Sequence, residues 1–143
     1  MISLLKIKFD QEAISLLSLF ERVTRAHVKD CIMQEGLVIF IVNEHEMGKA
    51  VGKSGANVRA LEANLRKKVK VIEYSPDLAK FVAHVIAPNQ AREIIEEQGI
   101  VTIIPKDPHS RGYLIGRNAT ILRLNESIVK RYFDITEIKV AAA

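Results

Sequence analysis

Gly48–Gly55 reads GKAVGKSG, and the fold turns on how this stretch is taken. It comes close to a nucleotide-phosphate loop, whose spacing is G-x-x-x-x-G-K-[ST] so that successive backbone amides curl around a phosphate before Lys and Ser/Thr reach the outer phosphates and a metal. Only Lys49, Ala50 and Val51 separate Gly48 from Gly52, and Met47 stands where the first glycine belongs. Its Cβ disfavours the positive φ such a loop uses. The match fails where the chemistry needs it, and no strand or downstream metal-binding Asp completes an NTPase. The sequence reads as a non-enzyme.

The same stretch occurs twice. A shift of 64 residues lays Gly48 on Gly112, Val51 on Ile115, Gly52 on Gly116, Lys53 on Arg117, Arg59 on Arg123 and Glu62 on Glu126. The same shift sets LVIFI on VTIIP upstream, with His45 on His109, and Val71 on Ile135 and Glu73 on Glu137 downstream. A period this long means two copies of one module, since solenoid repeats are shorter.

Charge follows the repeat. Lys49–Lys70 holds seven basic residues against Glu62 alone, and Arg111–Arg131 five against Glu126, in a chain of 143 residues whose net charge is only +4. The remainder is therefore acidic, and the basic charge sits beside the two glycine loops. A polyanion is the partner this distribution suits.

Each copy has a coarse secondary structure. Asp10 is expected to cap a helix with apolar Leu16, Leu19, Phe20 and Val23 at helical spacing. HVKDCIM and LVIFIVN, β-branched around the turn Gln34-Glu35-Gly36, form a hairpin. EMGKAV is a short helix before the loop, Val58, Leu61 and Leu65 mark the helix after it, and VKVIEY is the last strand. In the second copy Ser75 and Pro76 are expected as N-cap and first helical residue, followed by a hairpin around Glu97-Gln98-Gly99, the helix SRGYLI, the loop, the helix ATILRLNESIVKRY and the strand FDITEIKV.

A helix-flanked GXXG loop, GKSG in one copy and GRNA in the other, resembles that of the KH module, which clamps about four nucleotides of single-stranded RNA. Glycines let a sugar-phosphate chain lie against the backbone, the next helix offers unpaired N–H groups, and Lys53 or Arg117 adds a cation. The residues GKAVGKSGANVRALE and KVKVIEYSPDLAKFVAHVIAP, with their strand, Ser-Pro-Asp junction and Ala-Pro ending, are similar to those of archaeal NusA-like factors.

That resemblance covers essentially the whole chain. It implies an α+β fold of two tandem prokaryotic-type (type II) KH domains, residues 1–75 and 76–143, each α-β-β-α-α-β with a three-stranded sheet packed on helices. It implies a cytoplasmic RNA-binding factor of transcription termination and antitermination. The alternative is a KH-type RNA-binding adaptor in ribosome assembly or RNA processing. Bacterial members also carry a polymerase-binding domain and an S1 domain, for which 143 residues have no room. Single-stranded RNA is thus the partner expected, with the RNA polymerase elongation complex a second candidate whose direct contact the sequence leaves open. The near absence of linker at Ser75-Pro76 predicts that both modules act as one platform.

The residues expected to touch RNA are Lys49, Gly52, Lys53, Ser54, Gly55 and Arg59 in the first copy, and Arg111, Gly116, Arg117, Asn118, Ala119 and Arg123 in the second. Ala119 replaces the last glycine of the motif and is tolerable at negative φ, so a weakened clamp is expected there, with Arg111 compensating. Val51, Val58 and Leu61, and Ile115, Leu122 and Leu124, are expected to wall an aliphatic base groove, because the chain has 6% aromatic residues and no Trp for an open stacking sheet. For Gly48 and Gly112 two readings stand, tight helix packing or a part in the loop. The four histidines lack metal spacing and read as structural, and Cys31 as core. No cofactor or metal is expected. The lysine-interrupted N-terminus and the shortness of every apolar run give no membrane partner.

Overall fold

The computed structural model describes residues 4–142, with side chains from residue 11 onward. The chain divides into two compact units, Met1–Tyr74 and Ser75–Ala143. The first runs α1 (Leu4–Thr24), β1 (Val28–Gln34), β2 (Leu37–Val42), α2 (Met47–Val51), α3 (Ala56–Leu65) and β3 (Lys68–Glu73). The second repeats the order with α4 (Leu78–Ile86), β4 (Ala91–Glu97), β5 (Ile100–Pro105), α5 (Pro108–Ile115), α6 (Thr120–Lys130) and β6 (Glu137–Val140). The architecture is mixed α+β.

In each unit the hairpin's second strand is central. β2 pairs antiparallel with β1 and parallel with β3, and β5 does the same between β4 and β6. A parallel edge strand requires a crossover, which α2–α3 and α5–α6 supply. The loops of interest lie inside those crossovers.

β2, buried from Val38 to Val42, anchors the first unit through one of its faces. Val38, Phe40 and Val42 of β2 pack with Phe20 of α1, Ala50 of α2, Leu61 of α3 and Val71 of β3. Phe20 and Phe40 are fully buried, with ring centroids 4.4 Å apart. Cys31 is buried in the same core. In the second unit Phe81 of α4 meets Tyr132 edge-on at 5.5 Å and Phe133 at 5.6 Å.

The structure corrects three expectations. Asp10 does not start α1, which runs back to Leu4 through a stretch of good helix formers; its side chain lies outside the described residues. Asp77, not Ser75, caps α4: its Oδ1 accepts the N–H of Ala79 at 3.0 Å and of Lys80 at 3.5 Å, while the buried Ser75 hydroxyl accepts from Asp77 N–H at 3.2 Å. A carboxylate also complements the positive helix start better than a hydroxyl.

The third correction concerns the repeat, which is not rigid at 64. The hairpin glycines Gly36 and Gly99 both have positive φ, and from them Leu37 matches Ile100, so LVIFIV lies on IVTIIP, one residue off the expected alignment. His45 precedes α2, whereas His109 lies within α5, which Asp107 caps and Pro108 opens. The last strands are displaced further. Glu62 accepts the N–H of Val69 and Glu126 that of Ile138, so Val69 corresponds to Ile138 and the Val71–Ile135 and Glu73–Glu137 matches fail. Tyr132 and Phe133 turn out to pack on Phe81, which shortens FDITEIKV to a four-residue strand.

Candidate functional site

The two glycine loops have one conformation. Gly52 (φ 77°, ψ 169°), Ser54 (55°, 29°) and Gly55 (75°, 16°) are matched by Gly116 (74°, 178°), Asn118 (56°, 31°) and Ala119 (60°, 22°). Three of four loop residues thus have positive φ. A helical Lys53 or Arg117 followed by a left-handed residue is the succession that turns neighbouring N–H groups to one side and forms an anion-binding concavity. Ala119 therefore adopts positive φ despite its Cβ, contrary to the expectation of a negative value, and the second clamp keeps its shape under local strain.

Each loop delivers the chain into a helix with an uncapped start. No side chain accepts from the first amides of α3 or α6, whereas Asp77 and Asp107 cap α4 and α5. Asp107 Oδ1 accepts Ser110 N–H at 2.7 Å, and this bond, with the Ser110 hydroxyl, holds its carboxyl below the ordinary range. At both helix starts the dipole meets a loop bearing an exposed cation, Lys53 or Arg117, while the first amide, that of Ala56 or Thr120, donates to the carbonyl of that same residue. Among the described residues neither cation is held in an ion pair. Lys49 is exposed on α2. This arrangement can hold an anion.

The outer arginines divide. Arg59 donates from its guanidinium to the carbonyl of Ser54, bracing the first loop from the following helix. Arg123 instead pairs with Glu126 at 2.9 Å, and Arg111 donates from Nε to the carbonyl of Ala141 at 3.0 Å. Both side chains stay exposed while making these bonds within the second unit. There the loop is braced by Thr120, whose hydroxyl donates to Arg117 O at 2.8 Å.

Glycine roles are equally specific. A Cβ on Gly52 would stand 2.8 Å from Asn57 Cγ, and one on Gly116 2.7 Å from Ile121 Cγ1. Of the chain's seven glycines, five have positive φ; Gly48 and Gly112 are the other two, and a Cβ on either would meet nothing within 4 Å. The helix-packing reading of these two therefore fails. Each lies one turn before the loop, with Gly52 N–H bonded to Gly48 O at 3.0 Å and Gly116 N–H to Gly112 O at 2.9 Å. A helical Gly costs about 0.5–1 kcal/mol relative to Ala, and nothing inside either unit requires it.

The expected aliphatic groove is only partly present. Leu61 and Leu122 are buried in the cores and wall nothing, while Val51, Val58, Ile115 and Leu124 are half-buried. Sequence reasoning also passed over Asn57, whose amide donates to Lys49 O at 2.8 Å and ties α3 to α2. It passed over Tyr113 and Ile121 too, which are 55% and 42% exposed beside the second loop. Their signal was available in the repeat, where they replace Lys49 and Asn57.

The sequence model described as "KH domain" matches residues 17–141. The chain belongs to the KH-domain family. It is 35% identical over 138 residues to the "Probable transcription termination protein NusA" of Methanocaldococcus jannaschii, covering 94% of this chain and 75% of that one. The protein of the same name from Halobacterium salinarum is 30% identical over 136 residues, covering 94% and 98%. A solved structure described as "Crystal structure of APE1850" shares the fold, with a TM-score of 0.74 and 25% identity over 92% of this chain and 99% of that one. Within the KH family the chain is one of the archaeal NusA-like proteins. No helix among the described residues is long and apolar enough to cross a membrane.

Proposed function

We propose that this NusA-like chain is a non-enzymatic single-stranded-RNA-binding factor of transcription termination and antitermination, made of two tandem type II KH domains, residues 1–75 and 76–143. Each domain grips sugar-phosphate backbone through its loop: Gly52, Lys53, Ser54 and Gly55 in the first, Gly116, Arg117, Asn118 and Ala119 in the second. Lys49 adds charge beside the first loop and Arg59 braces it. The supporting observation is the recurrence of one loop conformation that ends, both times, at an uncapped helix start beside an exposed cation. A helix, not a strand, leads into each loop, which is the wrong setting for a nucleotide-hydrolysing phosphate loop.

The test is the double change Lys53→Asp with Ser54→Asp. Both residues are exposed, so the fold survives, and two carboxylates facing phosphate should weaken single-stranded RNA binding by about tenfold or more at moderate salt. Unchanged affinity in the folded variant would sink the assignment. Crosslinking in cells then separates the roles: nascent transcripts support termination and antitermination, mature ribosomal RNA an adaptor.

A further inference from the structure

Among the described residues three large apolar side chains are exposed, Ile14, Tyr113 and Ile121, and two of them flank the second loop. Tyr113 lies on the helix leading into that loop and Ile121 in the first turn of the helix leaving it. In the first unit the same positions hold Lys49 and Asn57. The second unit thus presents carbon where the first presents a cation and an amide.

Resting on the RNA-binding reading above, we propose that Tyr113 is a base-stacking residue, so that the second unit holds a nucleobase where the first holds phosphate charge. His109, one turn earlier on α5, meets the Tyr113 ring edge-on at 4.9 Å and 89°, which limits its rotation. Adjoining Tyr113, Gly112 projects no side chain and has open space above it. Ile121 sits against Gly116, on the other side of the loop in sequence. Arg111 and Arg123 are engaged with Ala141 and Glu126, which leaves Arg117 as the loop's own cation. A flat, uncharged ring next to a backbone clamp suits the face of a base, and every base has such a face.

Stacking and phosphate contact differ in their salt dependence, because only the second displaces counterions. The experiment measures affinity for a single-stranded RNA oligonucleotide, against salt, for the wild type, Tyr113→Ala, Tyr113→Phe and the Lys53→Asp, Ser54→Asp double variant. An abasic oligonucleotide of equal charge is the second ligand. Tyr113→Ala should lose about 5- to 150-fold with an unchanged salt slope and should no longer distinguish the abasic strand. Tyr113→Phe should bind within about twofold of wild type. Tyrosine emission, free of tryptophan in this chain, should be quenched by RNA in the wild type and much less in Tyr113→Phe.

If Tyr113→Ala binds like the wild type while the Lys53, Ser54 variant does not, the stacking proposal is wrong and the RNA-binding function stands. If the wild type itself binds no RNA, both fall. A Tyr113→Ala variant that binds RNA normally but loses a protein partner would mark the ring as a protein contact and overturn the proposal equally.

Discussion

Glu126 accepts the backbone N–H of Ile138 at 2.8 Å, and this one bond ties the helix behind the second loop to the edge of its sheet. The carboxylate is 11% exposed and also receives Arg123 at 2.9 Å and Lys130 at 4.0 Å. Burial pushes its pKa up, but the Ile138 N–H, Arg123 and Lys130 outweigh it and hold the value below the ordinary carboxylate range. A depressed folded pKa contributes stability that is present above the unfolded value and lost as pH falls through the folded one. Wild-type melting temperature should therefore drop below about pH 4.5, and Glu126→Gln should flatten part of that dependence. Glu126→Ala leaves a buried donor unpaired and should cost about 1–3 kcal/mol at neutral pH. Denaturant titrations at several pH values check both.

Ala119 has the φ and ψ of its counterpart Gly55. The left-handed conformation costs a Cβ-bearing residue about 1–2 kcal/mol, partly offset by the greater unfolded-state freedom of glycine. Ala119→Gly should therefore stabilise the second unit by up to about 1 kcal/mol and tighten RNA binding modestly. Gly55→Ala should do the reverse, since its Cβ would also stand 3.3 Å from the Arg59 guanidinium. Chemical denaturation and RNA affinity of the two reciprocal variants measure this. Equal stability of Ala119→Gly and wild type would show that the strain is relieved elsewhere.

Arg59 and Arg123 align in sequence but hold different partners, a loop carbonyl in one unit and a glutamate in the other. Arg59→Ala should weaken RNA binding several-fold with little loss of stability, because an exposed side chain that orders the clamp is removed. Arg123→Ala should leave RNA affinity within about twofold and lower stability by up to about 1 kcal/mol, as expected for a half-exposed ion pair. Binding curves and melts of the two variants side by side decide it. Similar effects on RNA binding would return Arg123 to the interface.

Much of this was legible locally. Gly52, Gly55 and Gly116 announce positive φ, and β-branched runs around Gly36 and Gly99 announce hairpins, because both signals depend on neighbouring residues only. What the sequence concealed depends on partners far along the chain. The bond from Arg111 to the carbonyl of Ala141 spans 30 residues, and FDIT reads as strand until Phe133 is found against Phe81. Ser75-Pro76 and Asp77 offer competing helix starts within three residues, and the choice rests on which side chain reaches the N–H groups of Ala79 and Lys80.

Gly48 and Gly112 separate stability from binding. Both lie in helices at ordinary φ, and a Cβ on either would enter open space, so Gly48→Ala and Gly112→Ala should each stabilise by about 0.5–1 kcal/mol. The same methyl would stand on the surface one turn before the loop, where a strand gripped as proposed above would run against the helix backbone. Affinity should therefore fall several-fold as stability rises. Gly52→Ala is the contrasting control: its Cβ would meet Asn57 at 2.8 Å at a φ of 77°, so it should lose stability and binding together. Thermal melts and RNA titrations on the three variants give the answer. If Gly48→Ala and Gly112→Ala are more stable and bind RNA like wild type, the strand does not lie against these helices and its path must leave the loop in the other direction.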